Sequence, residues 1–151
     1  MLQFDTNGYL TPDRNISSTL SELEQTFKIN NIREDIYNLY LNYSNELKNI
    51  IGKDIKQWVD GSYVTKKNAP EDIDILTFID YDDFEKYENE LNKFFYPNSK
   101  AEYNIDAYII VVYPNNHKKN FYYRSDYANW LTDFSKDFKT NTKKGFLEIV
   151  I

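Results

Sequence analysis

The chain has 151 residues, a formal net charge of −6 and no cysteine, which excludes disulfides and thiolate metal sites. This length suits a single domain that buries a core of its own. The excess of acidic residues, 24 against 18 basic ones, argues against broad, charge-driven binding to nucleic acids. No apolar run approaches the roughly 18 residues of a membrane span and no basic leader precedes one, so we expect a cytoplasmic protein without a membrane partner.

The first third of the chain is expected to hold an irregular segment and one helix. Residues 1–30 predict an irregular wrap around the body, in which Asn7-Gly8 closes a small hairpin. From Ile32 to Ile51, apolar residues recur every three or four positions, and Gly52 follows as a stop. This spacing predicts an amphipathic helix over Ile32–Ile51.

Four later segments have the composition of strands. The first, Ile55–Val59, carries Gly61-Ser62 at its carboxyl end, where α/β sheets tend to bind ligands. Asp72–Ile79 predicts the second strand, residues 103–113 predict the third, and Gly145–Ile151 predicts a short last strand.

Two further helices are predicted among these strands. Asp82 or Asp83 caps the first, which ends at Pro97-Asn98, and its apolar stripe is Phe84, Tyr87, Leu91, Phe94 and Phe95. Ser125 precedes the second, and its apolar face is Tyr127, Trp130, Leu131, Phe134 and Phe138. The pattern predicts one domain over residues 1–151 of the α/β (α+β) class, with a small mixed β-sheet and helices packed against it.

Aromatic side chains are abundant, with 14 tyrosines, 10 phenylalanines and 2 tryptophans. They are spread along the chain rather than interleaved with lysine and arginine. This distribution favours filling of the core over a platform that stacks nucleic-acid bases. We therefore expect Trp58 and Trp130 to lie in the core.

Two acids one residue apart are the first sign of a site. On a strand, Asp72 and Asp74 would share one face while Ile73 and Ile75 line the other. Adjacent carboxylates repel each other and favour a cation, and their hard oxygen ligands suit Mg²⁺ or Mn²⁺. The preceding Gly61-Ser62 supplies a close backbone approach and a hydroxyl, which suit a phosphate group.

A third acid, Asp106, lies in the most β-prone stretch of the chain. The interval between Asp74 and Asp106 is long enough for a turn, a helix and a return strand. We therefore expect Asp106 on a strand next to the one that carries the pair, so that three carboxylates meet at one rim. Alone, each residue has an ordinary interpretation as a cap, a solvated strand residue or a turn.

These residues resemble the DNA polymerase β-like nucleotidyltransferase superfamily. The pattern of that superfamily is a glycine followed by glycine or serine, a short spacer, an Asp-hydrophobic-acid-hydrophobic string and a later strand aspartate. Gly61, Ser62, Asp72, Asp74 and Asp106 hold those positions here.

The surrounding sequence is similar, more narrowly, to small and largely uncharacterised bacterial nucleotidyltransferase-like proteins. The similarity includes residues 57–65 and 70–74, the opening residues 4–10 and the late residues 144–149. The resemblance implies a minimal nucleotidyltransferase fold without the helical domain with which larger relatives clamp the base and the acceptor.

For function, the resemblance implies two-metal transfer of a nucleoside monophosphate from an NTP to a hydroxyl, with release of pyrophosphate. Asp72, Asp74 and Asp106 would hold the ions, Gly61 and Ser62 would hold phosphates, and Lys66 or Lys67 would neutralise charge. Two adjacent lysines are also common in an ordinary solvated turn. ATP and the other NTPs are equal candidates as substrates.

Several alternatives stay open at this stage. The acceptor could be a protein, an RNA or a small molecule. The resemblance favours protein or RNA modification in a toxin–antitoxin or phage-defence setting. The chain could instead be an inactive, antitoxin-like binding module, or a sensor that binds Mg²⁺·NTP without transfer. We expect His117, Arg124 and the pair Lys143-Lys144 to be plain surface residues.

Overall fold

The computed structural model describes residues 1–151 as a five-stranded mixed sheet, a two-stranded hairpin and six α-helices, an α+β fold. The strands are β1 (Gln3–Phe4), β2 (Leu10–Thr11), β3 (Asn15–Ser17), β4 (Lys56–Asp60), β5 (Asp74–Asp80), β6 (Asp106–Val112) and β7 (Phe146–Val150). The helices are α1 (Leu20–Phe27), α2 (Asn31–Ile51), α3 (Tyr81–Lys86), α4 (Glu88–Leu91), α5 (Asn98–Tyr103) and α6 (Asn120–Phe134). No helix is both long and apolar enough to cross a bilayer.

The strand order of the large sheet is β3-β7-β4-β5-β6. Strand β4 runs antiparallel to both of its neighbours, whereas β5 and β6 are parallel to each other. The carboxyl end of β4 therefore lies at the same edge of the sheet as the amino ends of β5 and β6. This edge collects the residues that the sequence singled out.

Helix α2 confirms the sequence prediction. It begins after Asn30, whose side chain accepts a hydrogen bond from the Arg33 N–H, and it ends at Gly52 in the left-handed conformation, at φ +75°. Its buried face contributes Tyr40, Tyr43 and other residues to a core of 22 buried side chains on one face of the sheet. The predicted amphipathic stripe thus faces the sheet.

A smaller core lies on the other face of the sheet, under α6. Its six buried residues are Trp58, Leu76, Phe78, Ile110, Phe134 and Phe146. The Trp58 ring is fully buried and contacts the rings of Phe78 and Phe146 at centroid distances of 5.1 and 4.8 Å. Burial of an aromatic ring of this size contributes roughly 2–3 kcal/mol. The core position of Trp58 is as predicted, while Trp130 is half-buried at the edge of this cluster.

The amino-terminal segment is more regular than predicted. The hairpin around Asn7-Gly8 forms between β1 and β2, with Gly8 at φ +82°. The prediction of an otherwise irregular wrap was wrong, because β3 pairs in parallel with β7 and is followed by α1. Strands of two or three residues are too short to produce a periodic signal.

Two helix predictions also needed correction. The segment from Asp82 to Phe95 is not one helix, because Tyr87 leaves helical geometry, at φ −111° and ψ 21°, between α3 and α4. The last helix, α6, begins at Asn120, before Ser125, and ends at Phe134, so Phe138 lies outside it. Phe121 and Tyr122 are exposed on the first turn of α6, so the apolar residues of this helix do not all lie on one face as the prediction assumed.

Candidate functional site

Three aspartates stand in a row across the three adjacent strands at the edge described above. Asp60 of β4 is the register partner of Asp74 of β5, and Asp74 is the register partner of Asp106 of β6. Directly opposed residues of neighbouring strands project from the same face. The row lies on the α6 face of the sheet. The sequence placed Asp106 beside Asp74 in this way, but it did not identify Asp60.

Asp72 lies at the site, but not on the strand on which it was predicted. It precedes β5 rather than sharing a strand face with Asp74, because the strand begins only at Asp74. Its carboxylate accepts hydrogen bonds from the Ser62 N–H, at 2.9 Å, and from the Ser62 hydroxyl. The Tyr63 N–H donates to the Asp72 carbonyl at 3.0 Å. These bonds join Asp72 to the Gly61-Ser62 turn.

Gly61 is required by this close packing. It adopts φ +86°, a conformation that side chains other than glycine rarely tolerate. A Cβ at this position would lie 3.0 Å from both the Asp72 carbonyl oxygen and Asp74 Oδ2. The backbone of the turn therefore lies directly against the carboxylate of Asp74.

Asp74 is the member of the row whose pKa is raised both by burial and by three neighbouring carboxylates. Burial, followed by repulsion from Asp72, Asp60 and Asp106, raises its pKa from 3.8 to about 7. A carboxyl group in this state binds either a proton or a cation. Its oxygens suit Mg²⁺ or Mn²⁺, so the residues present fit the metal that the sequence suggested.

The carboxylates of the row are not drawn together on a single point. Their oxygens do not form a set that lies within 4.8 Å, whereas those of Asp80, Asp82 and Asp83 do. That second cluster is at the opposite end of β5, and Lys53 Nζ contacts Asp80 and Asp83 at 2.8 and 2.6 Å. Because Lys53 already pairs with two of its three carboxylates and the cluster is largely exposed, it is the weaker candidate for a metal site.

A buried ion pair closes the other side of the row. Lys144 is only 6% exposed and its Nζ contacts the carboxylate of Asp60, which is buried as well. Burial raises the pKa of Asp60, and the nearby Lys144 ammonium opposes that rise. The expectation that Lys144 is a surface residue was therefore wrong. Its place directly before the buried strand β7 was the only available signal in the sequence.

The loop after Ser62 is held by Arg33 of α2, another residue that the sequence did not reveal. The buried Arg33 guanidinium donates to the carbonyls of Tyr63, Thr65 and Lys67, the first two at 2.7 and 2.6 Å. No carboxylate pairs with this guanidinium, so its burial is compensated by backbone oxygens and by the rings of Phe27 and Tyr63, whose centroids lie 5.9 and 5.3 Å from its central carbon. Arg33 fixes the loop that carries Lys66 and Lys67.

One cavity of about 780 Å³ opens beside the aspartates and the loop described above. Its charged half contains Asp60, Asp72 and Asp74, together with the Gly61-Ser62 turn. Five lysines border it: Lys66, Lys67, Lys136, Lys139 and Lys144. Asp106 lies just outside the lining, and its carboxylate is 3.5 Å from Lys100 Nζ. A volume of this size suits a nucleotide-sized ligand.

Comparison with known proteins gives a family but no activity. No curated protein and no solved structure matches the chain. A family model described as "Family of unknown function (DUF6932)" matches residues 2–150, which is almost the whole chain. The protein therefore belongs to this family of unknown function, DUF6932.

Proposed function

We propose that the protein is a metal-dependent nucleotidyltransferase that transfers a nucleoside monophosphate from an NTP to a hydroxyl of a protein or an RNA. The observation that carries the proposal is the half-buried set of Asp72, Asp74 and the adjacent Asp106, whose charges repel one another beside the Gly61-Ser62 turn. In the reaction, the acceptor oxygen bonds to the α-phosphorus. The bond from that phosphorus to the bridging oxygen breaks, pyrophosphate leaves, and the hydroxyl proton is released to a base.

The carboxylates have distinct roles in this proposal. Asp72 and Asp74 would hold the ions that the triphosphate needs, and Asp106 would act on the acceptor side and help to remove the proton. Mg²⁺ or Mn²⁺, when bound, would neutralise charge and lower the pKa of the attacking hydroxyl. Asp106 is free to take this role because its pair with Lys100 is partly exposed and costs little to break.

The phosphates would be held by the turn and the lysines around it. The Ser62 N–H and hydroxyl donate to the Asp72 carboxylate in the structure, and they would be the donors for a phosphate if Asp72 held a cation instead. Lys66 and Lys67 border the same cavity from the loop that Arg33 fixes. Lys67 is also 3.3 Å from Glu71, an exposed pair that offers little resistance to exchange.

The unfavourable electrostatic energy of neighbouring carboxylates supports catalysis over a purely structural role. Aspartates opposed on neighbouring strands repel each other, and a module that only docks to a partner does not need them. The antitoxin-like module and the nucleotide sensor predicted from the same residues both lack turnover. Measurement of transfer therefore separates the proposal from both alternatives.

The test follows a radioactive label from the nucleotide to an acceptor. The protein is incubated with Mg²⁺, total bacterial RNA and protein, and each NTP labelled either at the α- or at the γ-phosphate. We expect acid-precipitable label from the α position only, and its loss in Asp74→Asn. Label from the γ position, or transfer that survives Asp74→Asn, would contradict the proposal. Binding of Mg²⁺·NTP without any transfer would make the protein a sensor instead.

A further inference from the structure

The part of the cavity that faces the charged half has an unusual lining. All of its hydrophobic residues are aromatic, and no aliphatic side chain contributes: they are Tyr9, Tyr108, Trp130, Phe134 and Phe138. The rings of Tyr108 and Trp130 contact each other at a centroid distance of 4.7 Å. Tyr108 is also close to the aspartate row, since Asp74 and Asp106 contribute, after burial, to raising its pKa. Aromatic and charged surfaces therefore meet inside one cavity.

Phe138 is the most exposed of these aromatic residues. Its side chain is 98% exposed, although it belongs to a chain that buries most of its other phenylalanines at least in part. An isolated exposed apolar residue is common on protein surfaces, but this one borders a cavity whose hydrophobic lining is entirely aromatic. Phe138 is thus placed to contact whatever enters the cavity.

The backbone around Phe138 is held by its own hydrogen bonds. A bridge between Lys136 and Lys143 closes a hairpin loop. Within the loop, the Asp137 carboxylate accepts from the N–H groups of Lys139 and Thr140 at 2.8 and 3.0 Å. The Tyr9 hydroxyl donates to the same carboxylate at 2.9 Å and ties the loop to the amino-terminal hairpin. These bonds hold the backbone that carries Phe138, while its ring stays free to contact a ligand.

We propose that this aromatic half binds the nucleobase of the NTP, with Phe138 as the principal stacking residue. The inference rests on the proposed function, because the aspartate row and the lysines would hold the triphosphate. Aromatic rings without aliphatic neighbours favour a planar, delocalised ligand, and every nucleobase offers such a face. Lys136 and Lys139 lie on either side of Phe138 in the sequence and line the same cavity.

This subsite supplies a base-binding function for which the sequence offered no residues. The loop after α6 would perform it with a single ring on a short turn. Stacking area grows with ring size, so purine nucleotides are expected to bind more tightly than pyrimidine nucleotides.

The test separates base binding from phosphate binding. Calorimetric titration with Mg²⁺ compares ATP with inorganic tripolyphosphate, which has the phosphates but no base. We expect Phe138→Ala to weaken ATP by about 10-fold and to leave tripolyphosphate unchanged, because loss of one stacking ring acts on the base alone. Phe138→Tyr should retain ATP affinity. Phe121→Ala is the matched control, since Phe121 is exposed on α6 but does not line the cavity.

The outcomes distinguish the two proposals. If Phe138→Ala leaves the preference for ATP over tripolyphosphate unchanged, the base subsite is wrong while the phosphate and metal site stands. If tripolyphosphate weakens together with ATP in Phe138→Ala, the residue does not act on the base and the inference is also wrong. If the wild-type protein binds neither ligand with Mg²⁺, both proposals fail.

Discussion

The two ends of strand β5 carry acidic clusters of similar composition and opposite character. At the end of the strand, Asp80, Asp82 and Asp83 lie close together around the exposed Lys53. At its beginning, Asp74 is surrounded by other buried or half-buried carboxylates, and the nearest cation, Lys144, is bound to Asp60. Proximity of carboxylates is therefore a weak sign of a site. Burial without compensation is a stronger one, because it costs stability that only a ligand can return.

The largest expected effect comes from removal of one cation at each end. Lys144→Met leaves Asp60 buried without its partner and should lower the free energy of unfolding by about 3 kcal/mol. Lys53→Met removes a half-exposed partner and should cost less than about 1 kcal/mol. Urea denaturation measures both. The double variant Asp60→Asn/Lys144→Met should recover much of the stability that Lys144→Met loses. If Lys144→Met and Lys53→Met cost the same, the two clusters do not differ as described.

The second expected effect is a loss of stability when Gly61, which packs against Asp72 and Asp74, is replaced. Gly61→Ala combines strain at a positive φ with a Cβ that crowds Asp72 and Asp74, and we expect a loss of about 2–3 kcal/mol. Gly52→Ala is the matched control, because Gly52 also has a positive φ but no heavy atom lies within 4 Å of its added Cβ. Its expected cost is about 1 kcal/mol. Denaturation curves in which Gly61→Ala costs no more than Gly52→Ala would show that the close approach has no consequence.

The third expected effect is that Asp74→Asn is more stable than the wild type at high pH but not at low pH. The pKa of Asp74 is about 7 in the folded state and close to 4 when unfolded, so the folded state holds the proton more tightly. The contribution of this proton to the free energy of unfolding is fully present below the unfolded pKa and is lost as the pH rises through about 7. Without metal, Asp74→Asn should therefore match the wild type near pH 4 and exceed its stability at pH 8 by on the order of 2 kcal/mol.

Thermal denaturation from pH 4 to pH 8 in the presence of a chelator tests this sign. Asp80→Asn provides the comparison at the other end of β5, where loss of a partner for Lys53 should leave stability equal or slightly lower at pH 8. A stability difference between wild type and Asp74→Asn that stays constant over this range would show that repulsion in the row is not the cause.

The sequence predicted the parts of the site that depend on local order. Alternation along strands and the glycine-serine turn were enough to select Asp74, Asp106 and Gly61, and the helix period was enough for α2. Asp72 was selected as well, but for the wrong geometric reason, because its position depends on hydrogen bonds to Ser62.

The missed residues depend on contacts between distant segments. Asp60 joins the row only because β4 is antiparallel to β5 in one particular register, which no local pattern specifies. Arg33 sits in an ordinary helical sequence, and its role arises from carbonyls some 30 residues further along the chain. Phe138 continued the apolar period of α6 in sequence, although the helix ends four residues earlier.

The central claim is that Asp72, Asp74 and Asp106 bind a metal and a nucleotide together, and thermal-shift titration at pH 8 tests it most directly. The shift with ATP is measured with and without Mg²⁺ for wild type, Asp74→Asn and the control Asp133→Asn. Asp133 is exposed and lines the same cavity, but it belongs to neither the row nor the proposed metal ligands. We predict a Mg²⁺-dependent rise of several degrees in the wild type and in Asp133→Asn, and none in Asp74→Asn. An equal rise in all three proteins, or no rise in the well-folded wild type, would contradict the account.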